Sequence, residues 1–521
     1  MIKPEFDLFL IRYSYLMALI LFILLLLTLF YNLKDISRLC SSLKKKYLLA
    51  LLGIFAASLL IRLFIAPHKH YVFYDEYEHV NIAKNMADDF KFARCNMYLG
   101  GKCLAYDLPQ WGPGYHFLLS LAFGVFGTSE TVAYNFNVIT GALSVILMFY
   151  TVFLISGSQW SALAAAAFLG ALPLHVKFSG SSSQEITSLF FMLLSIFAML
   201  AHEKLGSRKS LFMFFAVVAY LALVRPENGI LAYMMTIYIF TKKPDHPAPV
   251  WLIVACEFLF IPYIMHLLNI HRYFSRWMTA QTHSGGNLLL ANISFWLRNQ
   301  GIPLTYMFFA CIGLYYVLKK IRGVGIFLAS YFLIFILFYT YYHRINISIS
   351  DFQRFNIQFC IPVIVFSGYG LYFLSHYAGK AIKLKWLLPL LFFVIIGLSV
   401  SLAVPYVESG MPGWDFQAQH RLLLKGKGLD EKCALTSYNT ASIITVLDRP
   451  CIHVSYLLDD NFYEAHLKDS CLIFVNDYWA KNNSGGIVGQ LEHKFSFLSA
   501  DTPPPAGEDI FYLLRKKVRD E

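Results

Sequence analysis

Apolar residues run along this chain in blocks that approach the ~20 residues an α-helix needs to cross a hydrocarbon core of roughly 30 Å. The blocks fall at residues 8–31, 47–66, 130–155, 161–178, 185–201, 211–225, 228–241, 249–268, 302–318, 324–342, 356–377 and 387–405, which predicts about twelve transmembrane helices. Polar connectors separate them. Those at Lys34 to Lys46, Glu203 to Lys209, Lys242-Lys243, Lys319 to Arg322 and Lys380 to Lys385 are basic and share one side of the count. By the positive-inside rule that side is cytoplasmic, so both chain ends, the first long loop at 67–129 and the loop from Asn269 to Gly301 are expected to face outward.

Two stretches depart from the spanning pattern. In the first outward loop, Val80, Ala83, Met86, Ala87 and Phe90 recur at helical spacing and predict an amphipathic helix lying along the membrane surface. A second is predicted from Trp111-Gly112-Pro113-Gly114-Tyr115-His116 to Phe126. From about Tyr406 hydropathy falls. Short strands are expected at 433–437, 451–455, 471–475 and 510–514, with a helix at 440–447, which makes residues 406–521 a small extracytoplasmic α/β domain following a transmembrane domain at 1–405.

Composition agrees with that division. Of 521 residues, 57% are hydrophobic and only 14% charged, with a mean hydropathy of +0.54, which excludes a soluble fold and gives an all-α polytopic membrane protein. The net charge of +11 does not signal nucleic acid, because its Lys and Arg lie in the short connectors. The run from Leu8 to Tyr31 is too long for a secretory signal and has no small-residue cleavage site, so an uncleaved span is expected. Nine cysteines show no C-x-x-C spacing and give no support to a zinc site; Cys95 and Cys103 are placed to pair if their side is oxidising.

Tyr74-Asp75-Glu76-Tyr77-Glu78-His79 then stands out, with three acids and a histidine just beyond a span. Asp75-x-x-Glu78 satisfies a capping box, which by itself explains two of the acids. Glu185, at the outward start of a later span, is brought by the topology to the same membrane face. Cations gather there too: His68, Lys69 and His70, Arg225 beside Glu227, Arg272, Arg276 and Arg298, and His343, Arg344 and Arg354 around Asp351. Ion pairing or headgroup binding accounts for any one of them. Together, carboxylates beside guanidinium groups at a membrane surface suit a phosphate-bearing lipid substrate.

The same residues carry a resemblance. Tyr74-Asp75-Glu76 with Ala83 and Met86, Trp111 to Tyr115, and Phe126-Gly127 with Glu130 resemble the first loop of polyprenyl-phosphate-sugar-dependent glycosyltransferases of the GT-C fold. Leu172-Pro173-Leu174-His175 with Ser179 and Glu185, and Arg354-Phe355 with Pro362, are similar to later segments of that group, which includes protein O-mannosyltransferases and lipid A aminoarabinose transferases. The similarity covers roughly residues 47–380. Three features depart from it: the extra span at 8–31, Glu185 where relatives often carry Asp, and Gly112-Pro113-Gly114 where Pro-Pro is usual.

The resemblance implies sugar transfer from a polyprenyl-phosphate donor to a hydroxyl acceptor on the outer face, with inversion. It implies Asp75 as general base, Glu76 and Glu185 orienting sugar or acceptor, and Arg354, Lys69 and Arg276 on the donor phosphate. Clustered carboxylates also suit a divalent metal, whereas the lack of an Asp-x-Asp in the first outward loop points to a reaction without a metal or other cofactor. The expected partners are the lipid bilayer, the lipid-linked sugar and a hydroxyl acceptor, and the expected location is a bacterial inner membrane with the site facing the periplasm. A transporter or flippase for a lipid-linked or anionic substrate is the alternative. It is disfavoured because the acids lie at span ends and the two halves show no repeat.

Overall fold

The computed structural model describes residues 4–68, 75–100, 102–242, 258–268, 288–298, 301–342, 352–381, 387–408, 428–430, 432–437, 440–467, 470–475, 487–499 and 511–516. Helices dominate the first four fifths of the chain. They are α1 (Pro4–Leu39), α2 (Lys45–Phe64), α3 (Asp75–Asp89), α4 (Pro113–Phe126), α5 (Glu130–Ser156), α6 (Gln159–Ala171), α7 (Pro173–Ser179), α8 (Glu185–Leu205), α9 (Arg208–Val224), α10 (Asn228–Lys242), α11 (Phe258–Leu268), α12 (Leu288–Arg298), α13 (Leu304–Lys320), α14 (Arg322–Leu337), α15 (Cys360–Ala381) and α16 (Leu387–Glu408). Among the described residues seven helical segments are long and apolar enough to cross a membrane, and eight if α6 and α7 count as one bent span. The remaining apolar helices fall at the expected places but are shorter, so the structure supports the helical membrane fold and not the number twelve.

Local chemistry sets the boundaries. Ser129, Ser158 and Ser207 accept hydrogen bonds from the first-turn amides of α5, α6 and α9, while Gly157 and Gly206 close α5 and α8 in the left-handed conformation. Pro173 cannot donate to the turn before it, and the chain bends by 54° between α6 and α7. Helices α13 and α15 cross at glycines: a Cβ on Gly313 would stand 1.8 Å from the Phe366 carbonyl, and one on Gly370 1.9 Å from that of Phe309. Small residues let two backbones approach where lipid offers no hydrophobic drive to associate.

The sheet differs from expectation in one respect. Strands β3 (Ala434–Ser437), β4 (Cys451–His453), β5 (Leu472–Val475) and β7 (Phe511–Lys516) and helix α17 (Thr440–Leu447) lie where the pattern puts them, and β6 (Phe495–Ser499) is added. Two further strands come from the first loop, β1 (Arg94–Leu99) and β2 (Lys102–Asp107), giving the seven-stranded order β2-β1-β4-β3-β5-β7-β6. Met97 and Tyr98 pair with Ile452 and Cys451, so residues of the first loop complete the C-terminal sheet. Disulfides join Cys95 to Cys103 and Cys433 to Cys471.

This sheet unit rests on α3. Asn81 of α3 accepts from the Cys95 amide (3.0 Å), Thr440 Oγ1 donates to the Cys95 carbonyl (2.8 Å), and Lys84 meets Asp448 at 2.8 Å. The helix that opens with Asp75 is therefore held by the sheet unit. The stretch after Trp111 is likewise packed inward: Tyr115, His116, Phe117 and Leu119 of α4 are fully buried.

Candidate functional site

Glu185 and Arg354 follow Asp75 by 110 and 279 residues, on α8 and the 3₁₀ turn Phe352–Phe359 where Asp75 is on α3, and the fold brings both acids to Arg354. Arg354 Nη2 donates to Asp75 Oδ2 at 2.6 Å, and its Nε lies 3.5 Å from Glu185 Oε1. One guanidinium thus bridges the acid of the first loop and the acid of a later span. Burial pushes the Asp75 carboxyl up to about 6, against the pull of the Arg354 charge beside it.

A second guanidinium lies behind the first. Arg225, just beyond the C-terminus of α9, donates through Nη1 to Glu185 Oε1 (2.6 Å) and through Nη2 to Glu227 Oε1 (2.5 Å). The Tyr339 hydroxyl is 2.9 Å from both Glu227 Oε1 and Gln358 Oε1. The guanidinium carbons of Arg225 and Arg354 each lie 5.1 Å from the Phe355 ring centre, so one aromatic ring contacts both cations. Among the described residues several buried atoms here have no hydrogen bond: Glu185 Oε2, Arg225 Nε, Arg354 Nε and Gln358 Nε2. Buried polar atoms are nearly always satisfied, so these atoms call for polar partners from water or from a ligand.

The supports are legible one by one. The serines before Glu185 are fixed by Asn137, whose amide donates to the carbonyls of Ser181 and Ser183 at 2.7 Å each, and by the Tyr115 hydroxyl on Ser182 O at 2.7 Å. Glu76 is fully buried and its Oε2 accepts from the Ser182 amide (2.9 Å) and hydroxyl (3.0 Å), so it ties α3 to that serine segment. Glu78 turns to Arg94 and to Trp111 Nε1 (3.1 Å) rather than back along α3, because both partners lie on the inner side of the helix; the capping box expected at 75–78 is not what holds it. Gly112 and Gly114 admit α4 against α9: a Cβ at Gly112 would sit 2.3 Å from the Leu223 carbonyl oxygen.

Of the six residues expected at the site, Asp75, Glu185 and Arg354 meet directly and Glu76 lies one residue from Asp75, turned to Ser182. Lys69 and Arg276 lie outside the described residues. Arg225 and Glu227, noted in the sequence only as outward charges, prove to be part of the cluster. Tyr339 and Gln358 were not anticipated. Their signal is weak: an aromatic and an amide within apolar runs, with nothing in spacing to pair them across the fold. Among the described residues no group of three His, Cys, Asp or Glu side chains is placed to hold a metal ion.

Residues 109–266 match the family model described as dolichyl-phosphate-mannose-protein mannosyltransferase. The fold is similar to that of ArnT from Cupriavidus metallidurans in the apo state, with a TM-score of 0.57 at 11% identity over 89% of this chain and 97% of that one. The same enzyme bound to undecaprenyl phosphate aligns with a TM-score of 0.52 at 12% identity over the same shares. The apo oligosaccharyltransferase of Archaeoglobus fulgidus gives 0.55 at 12% identity, over 92% of this chain and 76% of that one. No curated protein matches by sequence. The resemblance to GT-C glycosyltransferases and the reading of the chain as such an enzyme are borne out by the family match. At these identities the solved structures speak for the fold.

Proposed function

We propose that this protein transfers a sugar from a polyprenyl-phosphate donor to an acceptor hydroxyl, with Asp75 as general base and inversion at the anomeric carbon. The observation that carries this reading is the Arg354 bridge between Asp75 and Glu185, 2.6 and 3.5 Å away. It sets a cation beside a carboxylate whose affinity for a proton has been raised towards neutrality, the pairing that an attacking hydroxyl and a departing phosphate require.

The chemistry balances on these groups. Asp75 takes the acceptor proton as the oxygen bonds to the anomeric carbon from the face opposite the phosphate. The carbon–oxygen bond to phosphate breaks, and its electron pair leaves on the phosphate oxygen. Arg354 holds that charge. Its Nη2 donates to Asp75 and its Nε faces Glu185 at 3.5 Å without a hydrogen bond among the described residues, which leaves the guanidinium donors for a phosphate oxygen. Glu185, fixed by Arg225 through Oε1, keeps Oε2 for a hydroxyl of sugar or acceptor. A phosphate-linked carrier also fits the protein named for undecaprenyl phosphate among those of like fold.

An outward, oxidising location for the site is supported by the basic connectors opposite to it and by the two disulfides, both on the sheet unit that rests on α3. The bacterial inner membrane, with the site towards the periplasm, is the setting we adopt.

The test is sugar release from a panel of radiolabelled polyprenyl-phosphate sugars by the purified protein in lipid, with membrane extract as acceptor. Asp75→Asn should lower transfer by about 10²- to 10⁴-fold in a protein that remains folded. Transfer at the wild-type rate would remove Asp75 as base. If no donor is consumed and a labelled lipid crosses the bilayer instead, the protein is a flippase.

A further inference from the structure

Two buried histidines outside the carboxylate–arginine cluster have their tautomers fixed by their partners. His116 Nδ1 lies 2.9 Å from the Gly112 carbonyl oxygen, which can only accept, so Nδ1 carries the proton. Burial holds His116 neutral by pushing it down to about 3. Its Nε2 is then a lone pair, and His79 Nδ1 stands 2.9 Å from it. That contact requires His79 Nδ1 to donate. The single proton of a neutral His79 is thereby placed, and its Nε2 is left as an acceptor with no partner among the described residues.

His79 occupies α3 four residues after Asp75, one turn along the same face. Trp111 and Tyr115 meet its ring edge-on at centroid distances of 5.1 and 5.5 Å, which fixes the orientation of the imidazole. Asp75, one turn earlier on the same helix, is the residue that Arg354 contacts, so His79 lies on the turn of α3 that follows the cluster. An acceptor held in place by its ring contacts, on the helix turn that follows Asp75, suits an O–H or N–H donor, and no described side chain supplies one.

We propose that His79 Nε2 accepts a hydrogen bond from a hydroxyl of the transferred sugar and so selects donors that carry that hydroxyl. The assignment rests on the glycosyltransferase reading above. The acceptor's hydroxyl has one proton, and that proton goes to Asp75; a second hydrogen bond at the site must come from another hydroxyl, of which a sugar has several. The relay from Gly112 through His116 keeps the lone pair of His79 on Nε2. A site that pairs a hydroxyl discriminates against the analogue lacking it, because the acceptor then loses its partner when the sugar covers it.

Asparagine and glutamine separate this role from a purely structural one. His79→Asn offers an N–H near the position of Nδ1, preserving the bond to His116, but no acceptor at Nε2. His79→Gln offers Oε1 near the position of Nε2. Kinetics are measured with the full chain in lipid, using the polyprenyl-phosphate sugar that wild type consumes and Asp75→Asn does not. His79→Asn is expected to raise KM for the donor by about 10- to 100-fold while His79→Gln stays within about threefold of wild type. Rescue by Asn rather than Gln, equal loss in both, or no loss in either overturns the proposal. Should both variants unfold, ¹⁵N resonances of His79 in the wild-type protein decide: a lone pair on Nε2 that shifts when the sugar donor is added, and not when undecaprenyl phosphate alone is added, sustains it. A proton on Nε2, or an unmoved signal, overturns it. If wild type consumes no donor at all, the glycosyltransferase reading falls, and this assignment with it.

Discussion

Arg62 and Arg354 are both buried arginines, and they are held in opposite ways. Arg62, inside α2 and fully buried, is surrounded by neutral acceptors: Nη1 donates to the carbonyls of Ser58 (2.9 Å) and Gly170 (3.0 Å) and to the Ser58 hydroxyl, Nε donates to Ser179 Oγ (3.2 Å), and Nη2 meets His175 Nδ1. Every nitrogen of its guanidinium is engaged. Arg354 instead meets two carboxylates, and around it Glu185 Oε2, Arg225 Nε and Gln358 Nε2 remain unsatisfied. Among the described residues the Arg62 group leaves only His175 Nε2 in that condition. A cation in a span is costly and is retained either for structure or for function. The complete coordination of Arg62 assigns it to structure, since Gly170 belongs to the turn before the α6–α7 bend and its carbonyl there needs a donor. The incomplete coordination around Arg354 supports the proposed role at the donor phosphate.

The comparison breaks most sharply at Arg354. Arg354→Ala should lower transfer by about 10²- to 10³-fold, the usual cost of one charge-stabilising donor. If steady-state transfer by the folded variant is unchanged, Arg354 is a structural cation like Arg62. Conversely, Arg62→Met is expected to spare the kcat of the folded fraction while costing about 2–4 kcal/mol, because the Ser58, Gly170 and His175 acceptors lose their donor together. Thermal unfolding in lipid, followed beside activity, separates the two results. A fall in kcat at unchanged stability would move Arg62 into the catalytic machinery.

How far each arginine could be read from the sequence follows from where its partners lie. The spans, the terminal strands and Asp75, Glu185 and Arg354 were visible because hydrophobic period, charge and sidedness are local properties that add up along a chain. Arg62 interrupts an apolar run as Ile61-Arg62-Leu63, a signal that a polar partner waits inside the bundle, yet Ser58 alone is local to it; Gly170 and His175 are more than a hundred residues away. Arg225 was seen as a charge and not as the partner of Glu185, since spacing does not encode contacts across a bundle. The hairpin β1–β2 could have been found. Gly100 follows its first strand and takes a φ of +58°, the conformation such turns demand. Its addition to a sheet more than three hundred residues later could not, because pairing register between distant strands leaves no mark in either.

The acid partner also separates the two arginines by pH. Asp75 sits at about 6 where 3.8 is ordinary. As a base it must be ionised, so kcat/KM is expected to be level above about pH 7 and to fall tenfold per unit below about 6 as the carboxylate takes up its proton. Arg354 lowers that value, so replacing it with a neutral residue should carry the acidic limb to higher pH, whereas Arg62→Met should leave the limb where it is. A limb near pH 4 in the wild type would mean that Asp75 is solvated and is not the buried base described above.

Two glycines beside Arg62 give the smallest and most discriminating test. A Cβ at Gly141 would stand 2.6 Å from Ser179 Oγ and 3.0 Å from Arg62 Nε, inside the network, whereas one at Gly170 would meet Ser58 Cβ at 3.4 Å and Oγ at 3.5 Å, ordinary contact. Alanine favours a helix over glycine by about 1 kcal/mol, and overpacking a filled core costs about 1–3 kcal/mol. At Gly170 only the first effect operates, so Gly170→Ala should be neutral or raise the unfolding temperature slightly. At Gly141 the second opposes it and wins, because Ser179 cannot retreat: its hydroxyl also donates to the His175 carbonyl at 2.6 Å. Gly141→Ala should therefore lose about 1–2 kcal/mol at an unaltered kcat. Equal and neutral behaviour of the two variants would show that the Arg62 network has slack, and the argument that its coordination is complete would no longer separate it from Arg354.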